Sequence, residues 1–180
     1  CCVMSHESVP SVVEPTVAFG ARLANSPAFK ELFRDGMGLV EETAAYLDGP
    51  GRAESRELER GPALAYATES MRLTTRLMQL ASWLLLQRAI GAGEMTHEEA
   101  RKEKHRISLT DIGRGNSLSG SEQLPQGLNE IIERSLSLHQ RVMKLDVMLN
   151  VQAKSEASQQ QSPVNAQFDE EVPPAVRAIA

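Results

Sequence analysis

Apolar residues recur at heptad spacing in two stretches of the chain, and this pattern restricts the fold more than any other feature. In the first stretch, one row comprises Leu64, Met71, Met78 and Leu85, and a second row on an adjacent face comprises Leu73, Leu77, Leu80 and Leu84. In the second stretch, the a positions of the repeat are Leu128, Ser135, Val142 and Leu149. The d positions are Ile131, Leu138 and Leu145. A repeat sustained over three heptads predicts long helices that pack along a bundle seam.

Capping and breaking residues predict where the helices begin and end. Ser26 followed by Pro27 is typical of a helix start, because a hydroxyl caps the first turn and proline suits its first position. The run Gly49, Pro50, Gly51 predicts that this helix ends at Asp48. Similar signals predict helices over residues 62–91 and 125–151, and a short helix over 97–106. Gly36 and Gly38 interrupt the first helix and suggest close packing or a bend.

The composition favours an all-α fold. Hydrophobic residues make up 41% of the chain but aromatic residues only 4%, whereas sheets depend on aromatic and β-branched side chains. We expect a flexible arm over residues 1–15, an antiparallel three-helix bundle over 16–151 and a disordered acidic tail over 152–180. The tail is too polar to offset the entropy of ordering it.

The helix over residues 62–91 has more apolar surface than a three-helix monomer needs. One wide apolar stripe would be enough to bury it in a bundle, yet it has two rows. The surplus predicts a second interface, and the row Leu73, Leu77, Leu80 and Leu84 is the candidate for it.

No group of residues in the sequence is suited to catalysis or to binding a cofactor or metal. His97 begins a pattern that resembles a zinc-protease helix, but Arg101 stands where the second histidine ligand would be. His97 and His105 alone make a poor metal site. The glycine pairs follow no predicted strand and lack the lysine of a phosphate loop. We therefore expect a protein that is not an enzyme.

The charge distribution and hydropathy exclude further classes. The net charge is −5 and no segment is strongly basic, so we expect no nucleic-acid partner. The most apolar stretch, residues 80–86, is far shorter than the roughly 20 residues of a membrane span. With no secretory signal pattern, we expect a cytoplasmic protein. Cys1 and Cys2 fit an acylated lipoprotein start or residues of no functional meaning ahead of Met4, and the cytosolic-type core favours the second interpretation.

Two groups of residues are candidates for binding other proteins. Glu69, Arg72 and Arg76 share one helix stripe, where they form either an ion-pair ladder or a docking patch for an acidic partner. In the tail, apolar residues recur about every four positions: Phe168, Val172, Val176 and Ile179. The tail is either an inert linker or a docking motif that orders on a partner.

Two segments resemble the RcdA family of alphaproteobacteria, the regulators of CtrA degradation. They are residues 38–51, GLVEETAAYLDGPG, and residues 65–89, AYATESMRLTTRLMQLASWLLLQRA. The resemblance covers about residues 16–150. It implies a homodimeric three-helix bundle with a disordered C-terminal tail and no catalytic residues. The possible dimer face is then the row Leu73, Leu77, Leu80 and Leu84.

The resemblance also implies a function. It indicates a non-enzymatic adaptor that binds ClpX of the ClpXP protease, primed by the CpdR response-regulator-like adaptor, and tethers clients such as CtrA. A cell pole is one expected location. The alternative is a structural homodimeric scaffold of a signalling or polar complex that has no effect on proteolysis. The last five residues of the sequence, Val-Arg-Ala-Ile-Ala, are small and mostly apolar, which raises the hypothesis that the adaptor is itself a substrate of the protease.

Overall fold

The computed structural model describes residues 22–95, 97–107, 109 and 121–160. Its helices are α1 (Pro27–Asp48), α2 (Pro50–Glu57), α3 (Arg60–Ala92), α4 (His97–Arg106), a 3₁₀ turn (Ser121–Gln123) and α5 (Gln126–Gln160). Residues 22–25 form a further helical turn before α1. There is no strand in these described ranges, so the all-α prediction is confirmed.

The ends of α1 follow from its capping residues. The Ser26 hydroxyl oxygen accepts a hydrogen bond of 3.2 Å from the Phe29 N–H, and Pro27 occupies the first turn. At the other end, the Gly49 N–H donates to the Ala45 carbonyl at 3.0 Å. The chain does not become a loop there, because Pro50 begins α2. The glycine-proline break therefore joins two helices at a bend.

The end of α3 is a glycine cap. Gly93 adopts the left-handed conformation with φ of 71°, which a residue without Cβ adopts at little cost. Its N–H donates to the Ile90 carbonyl at 3.1 Å, and the Glu94 N–H donates to the Ala89 carbonyl at 3.0 Å. These bonds satisfy the last carbonyl groups of α3 and turn the chain towards α4.

Two of the three pairs of long helices are antiparallel. Glu42 of α1 pairs with Arg134 of α5 and Asp35 pairs with Arg141, so numbers rise in opposite directions and α1 is antiparallel to α5. Gly36 packs against Leu84 of α3, and Ala24 in the turn before α1 packs against Gly91 near the end of α3. The helix α1 is therefore antiparallel to α3 as well.

The helices α3 and α5 are parallel to each other. Arg76 donates a hydrogen bond to Ser135 at 2.7 Å, and Trp83 donates one to Asp146 at 3.0 Å. Residue numbers therefore increase in the same direction along both helices. A bundle of three antiparallel helices must contain one parallel pair, and here that pair is α3 and α5. The physical reason is the long connection over residues 93–125, which is long enough to return the chain to the end where α3 began.

The core lies between α1, α3 and α5. Its most deeply buried side chains are Leu73, Leu80, Trp83, Leu84, Leu128, Ile132 and Val142, each at most 1% exposed. Full burial of such side chains contributes about 1.5–3 kcal/mol each. Phe29, Leu32 and Leu39 complete the core from α1.

The last helix is longer than the sequence predicts. It extends to Gln160, so residues 152–160 are helical and the prediction of a disordered tail starting at 152 is wrong for them. Their composition was not informative, because polar glutamine, lysine and glutamate are also good helix formers. The predicted flexible arm and residues 161–180 lie outside the described residues and stay predictions.

Candidate protein-interaction surfaces

The four leucines predicted as a possible dimer face lie inside the bundle. Leu73, Leu77, Leu80 and Leu84 are 0%, 4%, 1% and 0% exposed within a single chain. The choice of this row as the dimer face is therefore wrong, because its side chains are buried against α1 and α5. They supply the core in place of an intermolecular contact.

The other heptad row of α3 is on the surface. Leu64, Met71, Met78 and Leu85 are 64%, 72%, 66% and 51% exposed, and we call this row the α3 stripe. It spans 22 residues, or about 30 Å of helix. A contiguous apolar row of this length is typical of a surface that another molecule covers.

The hydroxyl groups beside the α3 stripe are already hydrogen-bonded. Thr68, Thr74, Thr75 and Ser82 each donate to the carbonyl four residues earlier, at 2.8–2.9 Å. These polar groups consequently need no partner from outside the helix. They leave methyl and methylene groups towards solvent, which makes the surface around the α3 stripe more suitable for apolar contact.

A second exposed apolar group lies near the end of α5. Val147, Met148 and Val151 are 57%, 59% and 60% exposed. They come after the last fully buried residue of α5, Val142, where the helix leaves the core. The heptad pattern placed Leu145 and Leu149 in the seam, and both are partly buried against the core.

The predicted docking patch is divided between the core and the surface. Glu69 and Arg72 form an ion pair of 2.9 Å, and the Glu69 side chain is only 11% exposed. Arg76 is 0% exposed and donates to the Ser135 hydroxyl. The prediction that Arg76 belongs to a docking patch is wrong, because a partner cannot reach it.

Arg76 belongs to a polar layer between α3 and α5 that the heptad analysis missed. Ser135 is completely buried and donates in turn to the Ile132 carbonyl at 2.7 Å. His139, one turn further along α5, is 3% exposed. The available signal was Ser135 itself, since a polar residue at a seam position commonly hydrogen-bonds to a polar side chain on the facing helix.

A groove opens between the start of α1 and the end of α3. Its cavity is about 350 Å³ and its lining residues are Ala24, Asn25, Phe29, Lys30, Phe33, Arg88, Gly91 and Ala92; we call it the α1–α3 groove. The Arg88 guanidinium carbon lies 5.1 Å from the Phe33 ring centroid, within the range of a cation–π contact. This groove could not be predicted from the sequence, because its residues come from two distant segments.

Some of the remaining candidates lie outside the described residues and others lie on α4. The tail residues Phe168, Val172, Val176 and Ile179, as well as Cys1 and Cys2, lie outside the described residues. His97 and His105 fall on α4. In the part of the chain that the structure describes, no three or more histidine, cysteine or carboxylate side chains are grouped to hold a metal ion. No helix in that part is long and apolar enough to cross a membrane.

The chain is similar to a known protein family and to a solved structure. A family model described as "Protein of unknown function (DUF1465)" matches residues 20–171. A solved structure, that of RcdA from Caulobacter crescentus CB15, is 49% identical, with a TM-score of 0.59. The match covers 72% of this chain and 96% of the RcdA chain.

The chain belongs to the RcdA family. The matched family model is the model of that family, so the resemblance of residues 38–51 and 65–89 is confirmed. No curated protein matches the chain. Neither match names a catalytic activity, and the RcdA family match extends beyond α5, which ends at Gln160, to residue 171.

Proposed function

We propose that this chain is a non-enzymatic adaptor that helps deliver cell-cycle substrates such as CtrA to the ClpXP protease. Membership of the RcdA family is the observation that carries the proposal. In this role the protein binds ClpX that has been primed by a CpdR-like response regulator. It tethers the client, which raises the client's concentration at the unfoldase without any chemistry by the adaptor itself.

Two surfaces support this role. The apolar residues of the tail, Phe168, Val172, Val176 and Ile179, form a docking motif for a partner on a polar lead. The α3 stripe pairs with the same stripe of a second copy, so the adaptor is a homodimer. Glu69 and Arg72 remain a candidate contact at the edge of the bundle, because the Arg72 side chain is 33% exposed.

Reconstituted degradation tests the adaptor function. Purified ClpXP, a CpdR-like regulator and CtrA are combined with and without this protein, and the initial rate is measured over a range of CtrA concentrations. Tethering predicts a lower apparent KM for CtrA and little change in kcat, since the protease is unaltered. Identical KM values in both reactions would exclude the proposal.

Tail variants locate the docking motif. A chain that ends at Gln160 and a full-length chain with serine at positions 168, 172, 176 and 179 are compared with the unaltered protein. We expect both variants to lose the effect on KM. Because the serine variant keeps the length and charge of the tail, its loss would be due to the missing apolar side chains. Full activity of the serine variant would exclude the apolar tail residues as the docking motif.

The α3 stripe supports a second candidate function, a homodimeric scaffold without effect on proteolysis. Sedimentation analysis of the Met71→Glu/Met78→Glu variant tests the dimer separately from the effect on proteolysis. We expect this variant to be monomeric and folded, because both residues are exposed in the single chain. Ser137→Glu/Gln140→Glu on the exposed face of α5 is the matched control and should remain dimeric. A dimeric stripe variant would exclude this interface.

A further inference from the structure

We propose that the α1–α3 groove binds the acidic segment 168–172 of the same chain. The segment reads Phe-Asp-Glu-Glu-Val, so an aromatic ring precedes three carboxylates. Phe168 and Val172 also belong to the tail docking motif proposed above, so this contact concerns the isolated protein before a partner binds. The inference does not depend on the adaptor function.

The chemistry of the groove matches that of the segment. Phe29 and Phe33 supply its apolar wall, with ring centroids 6.4 Å apart. Lys30 and Arg88 are exposed at its edge. An aromatic side chain in the groove would add a third ring, and carboxylates beside it would meet two cations.

The two cations have no carboxylate partner in the described part of the chain. Lys30 and Arg88 form no ion pair with a described acidic residue. Arg56, Arg60 and Lys144 form none either, but these three do not line the groove. Two cations beside exposed apolar surface favour an acidic and partly apolar ligand. The segment 168–172 is the most acidic part of the chain after α5.

The direction of the helices brings the segment to the groove. Because α3 and α5 are parallel, α5 ends at the same end of the bundle as Arg88 and Ala92. Asp146 lies beside Trp83, so the level of Arg88 corresponds to about residue 151, and the remaining helix to Gln160 extends about 14 Å further.

The connecting chain is long enough for the return. Residues 161–168 span up to about 26 Å when extended, which exceeds the distance that α5 has travelled beyond the groove. The match to the family model also reaches residue 171, so the matched region includes positions 168–171. A short connection gives a high effective concentration, and a weak contact is then sufficient.

Photo-cross-linking in the full-length protein tests the proposal. Phe168 is replaced by p-benzoylphenylalanine, the protein is irradiated, and the cross-linked peptides are identified by mass spectrometry. We expect cross-links to residues 24–33 and 88–92. Mixing ¹⁴N- and ¹⁵N-labelled protein before irradiation should give peptides of a single label, because the contact is within one chain. Mixed-label peptides, or no cross-link in the groove, would overturn the proposal.

Charge variants test the specificity of the contact. Lys30→Glu/Arg88→Glu should lower the cross-link yield in the groove about fivefold, since attraction becomes repulsion. Adding Asp169→Lys/Glu170→Lys to that variant should restore the yield. Arg52→Glu, an exposed arginine at the opposite end of the bundle, is the matched control and should have no effect. Circular dichroism checks that each variant folds. An equal loss with Arg52→Glu, or no loss with the groove variant, would overturn the proposal.

Discussion

Two glycines of α1, only two residues apart, have very different surroundings. A Cβ atom built on Gly36 would lie 2.5 Å from the Leu84 Cδ1 atom, whereas one built on Gly38 would have no neighbour within 4 Å. Leu84 is completely buried, so its methyl group has little room to move away. Gly36 therefore allows α1 and α3 to approach closely, and Gly38 only weakens the helix.

This difference predicts opposite effects of the same substitution. Gly38→Ala should raise the free energy of unfolding by about 0.5–1 kcal/mol, because alanine favours the helix. Gly36→Ala has the same helical benefit but overpacks the core at a cost of about 1–3 kcal/mol, so the protein should become less stable. Urea unfolding followed by circular dichroism measures both. Stabilisation by Gly36→Ala would contradict the close approach of the two helices.

Single residues also show what sequence reasoning can and cannot predict. The start of α1 could be predicted because Ser26 and Pro27 act on their own neighbours. The burial of Arg76 could not, because it depends on Ser135, which is 59 residues away. A charged residue on an apolar helix is usually exposed, and only the facing helix shows that this one is enclosed.

At the scale of elements, one carboxylate joins α4 to both α3 and α5. Asp146 accepts from the Trp83 indole N–H at 3.0 Å and pairs with Lys104 of α4 at 2.9 Å. Asn150 extends the network, because its amide donates to Asp146 and its oxygen accepts from Lys104. Three helices consequently meet at Asp146.

Removal of that carboxylate should loosen α4. Asp146→Ala leaves the buried Trp83 N–H without its acceptor and should lower the free energy of unfolding by about 1–3 kcal/mol. Amide exchange over residues 97–106 should become faster, and the fluorescence of Trp83, the one tryptophan in the chain, should change. Glu103→Ala, which removes an exposed pair with Arg106, should leave the fluorescence unaltered. Unchanged exchange in α4 after Asp146→Ala would rule out this attachment.

The bend between α1 and α2 is held by Tyr46. Its ring would be 2.6 Å from a Cβ atom at Gly51 and 2.8 Å from one at Gly127, so two glycines make room for it. Its hydroxyl donates to the Glu54 carboxylate at 2.6 Å. Burial, and then this hydrogen bond, raises the pKa of Tyr46 above its ordinary value of 10.0.

The raised pKa predicts that stability falls at alkaline pH. Above about pH 10 the unfolded chain loses the tyrosine proton while the folded chain keeps it. The stabilisation is therefore complete below pH 10 and declines as the pH rises towards the folded pKa. Tyr46→Phe should be about 1 kcal/mol less stable at neutral pH but should show a shallower decline. Urea unfolding at intervals from pH 8 to 11 gives both values. Equal slopes would show that Tyr46 does not contribute.

The existence of the long helices could be predicted from their apolar periodicity, but their packing could not. Both apolar rows of α3 follow the same heptad period, so the pattern indicates two faces but does not tell which one α1 and α5 cover. Trp83, one position before Leu84, is buried beside the leucine row, and large side chains on that side of α3 fill the core. The parallel arrangement of α3 and α5 was not predictable either, because a long connection permits both directions.

At the scale of the whole molecule, the α3 stripe links stability to self-association. A bundle that exposes Leu64, Met71, Met78 and Leu85 leaves apolar surface in water, and pairing would remove it at about 25 cal/mol per Å². A stable pair buries about 800 Å² on each partner, which a stripe about 30 Å long can supply together with its neighbouring side chains.

If the stripes pair in the folded state, unfolding separates two chains and must depend on protein concentration. Each tenfold increase should stabilise the dimer by about 1.4 kcal/mol, so Tm rises steadily with concentration. For Met71→Glu/Met78→Glu, Tm should be independent of concentration, because its unfolding involves one chain. Ser137→Glu/Gln140→Glu should behave like the unaltered protein. Scanning calorimetry over a hundredfold range of concentration measures all three, and a constant Tm for the unaltered protein would contradict pairing through the stripe. The burial of the leucine row makes this a strict test, since no other apolar row of α3 is exposed to form the contact.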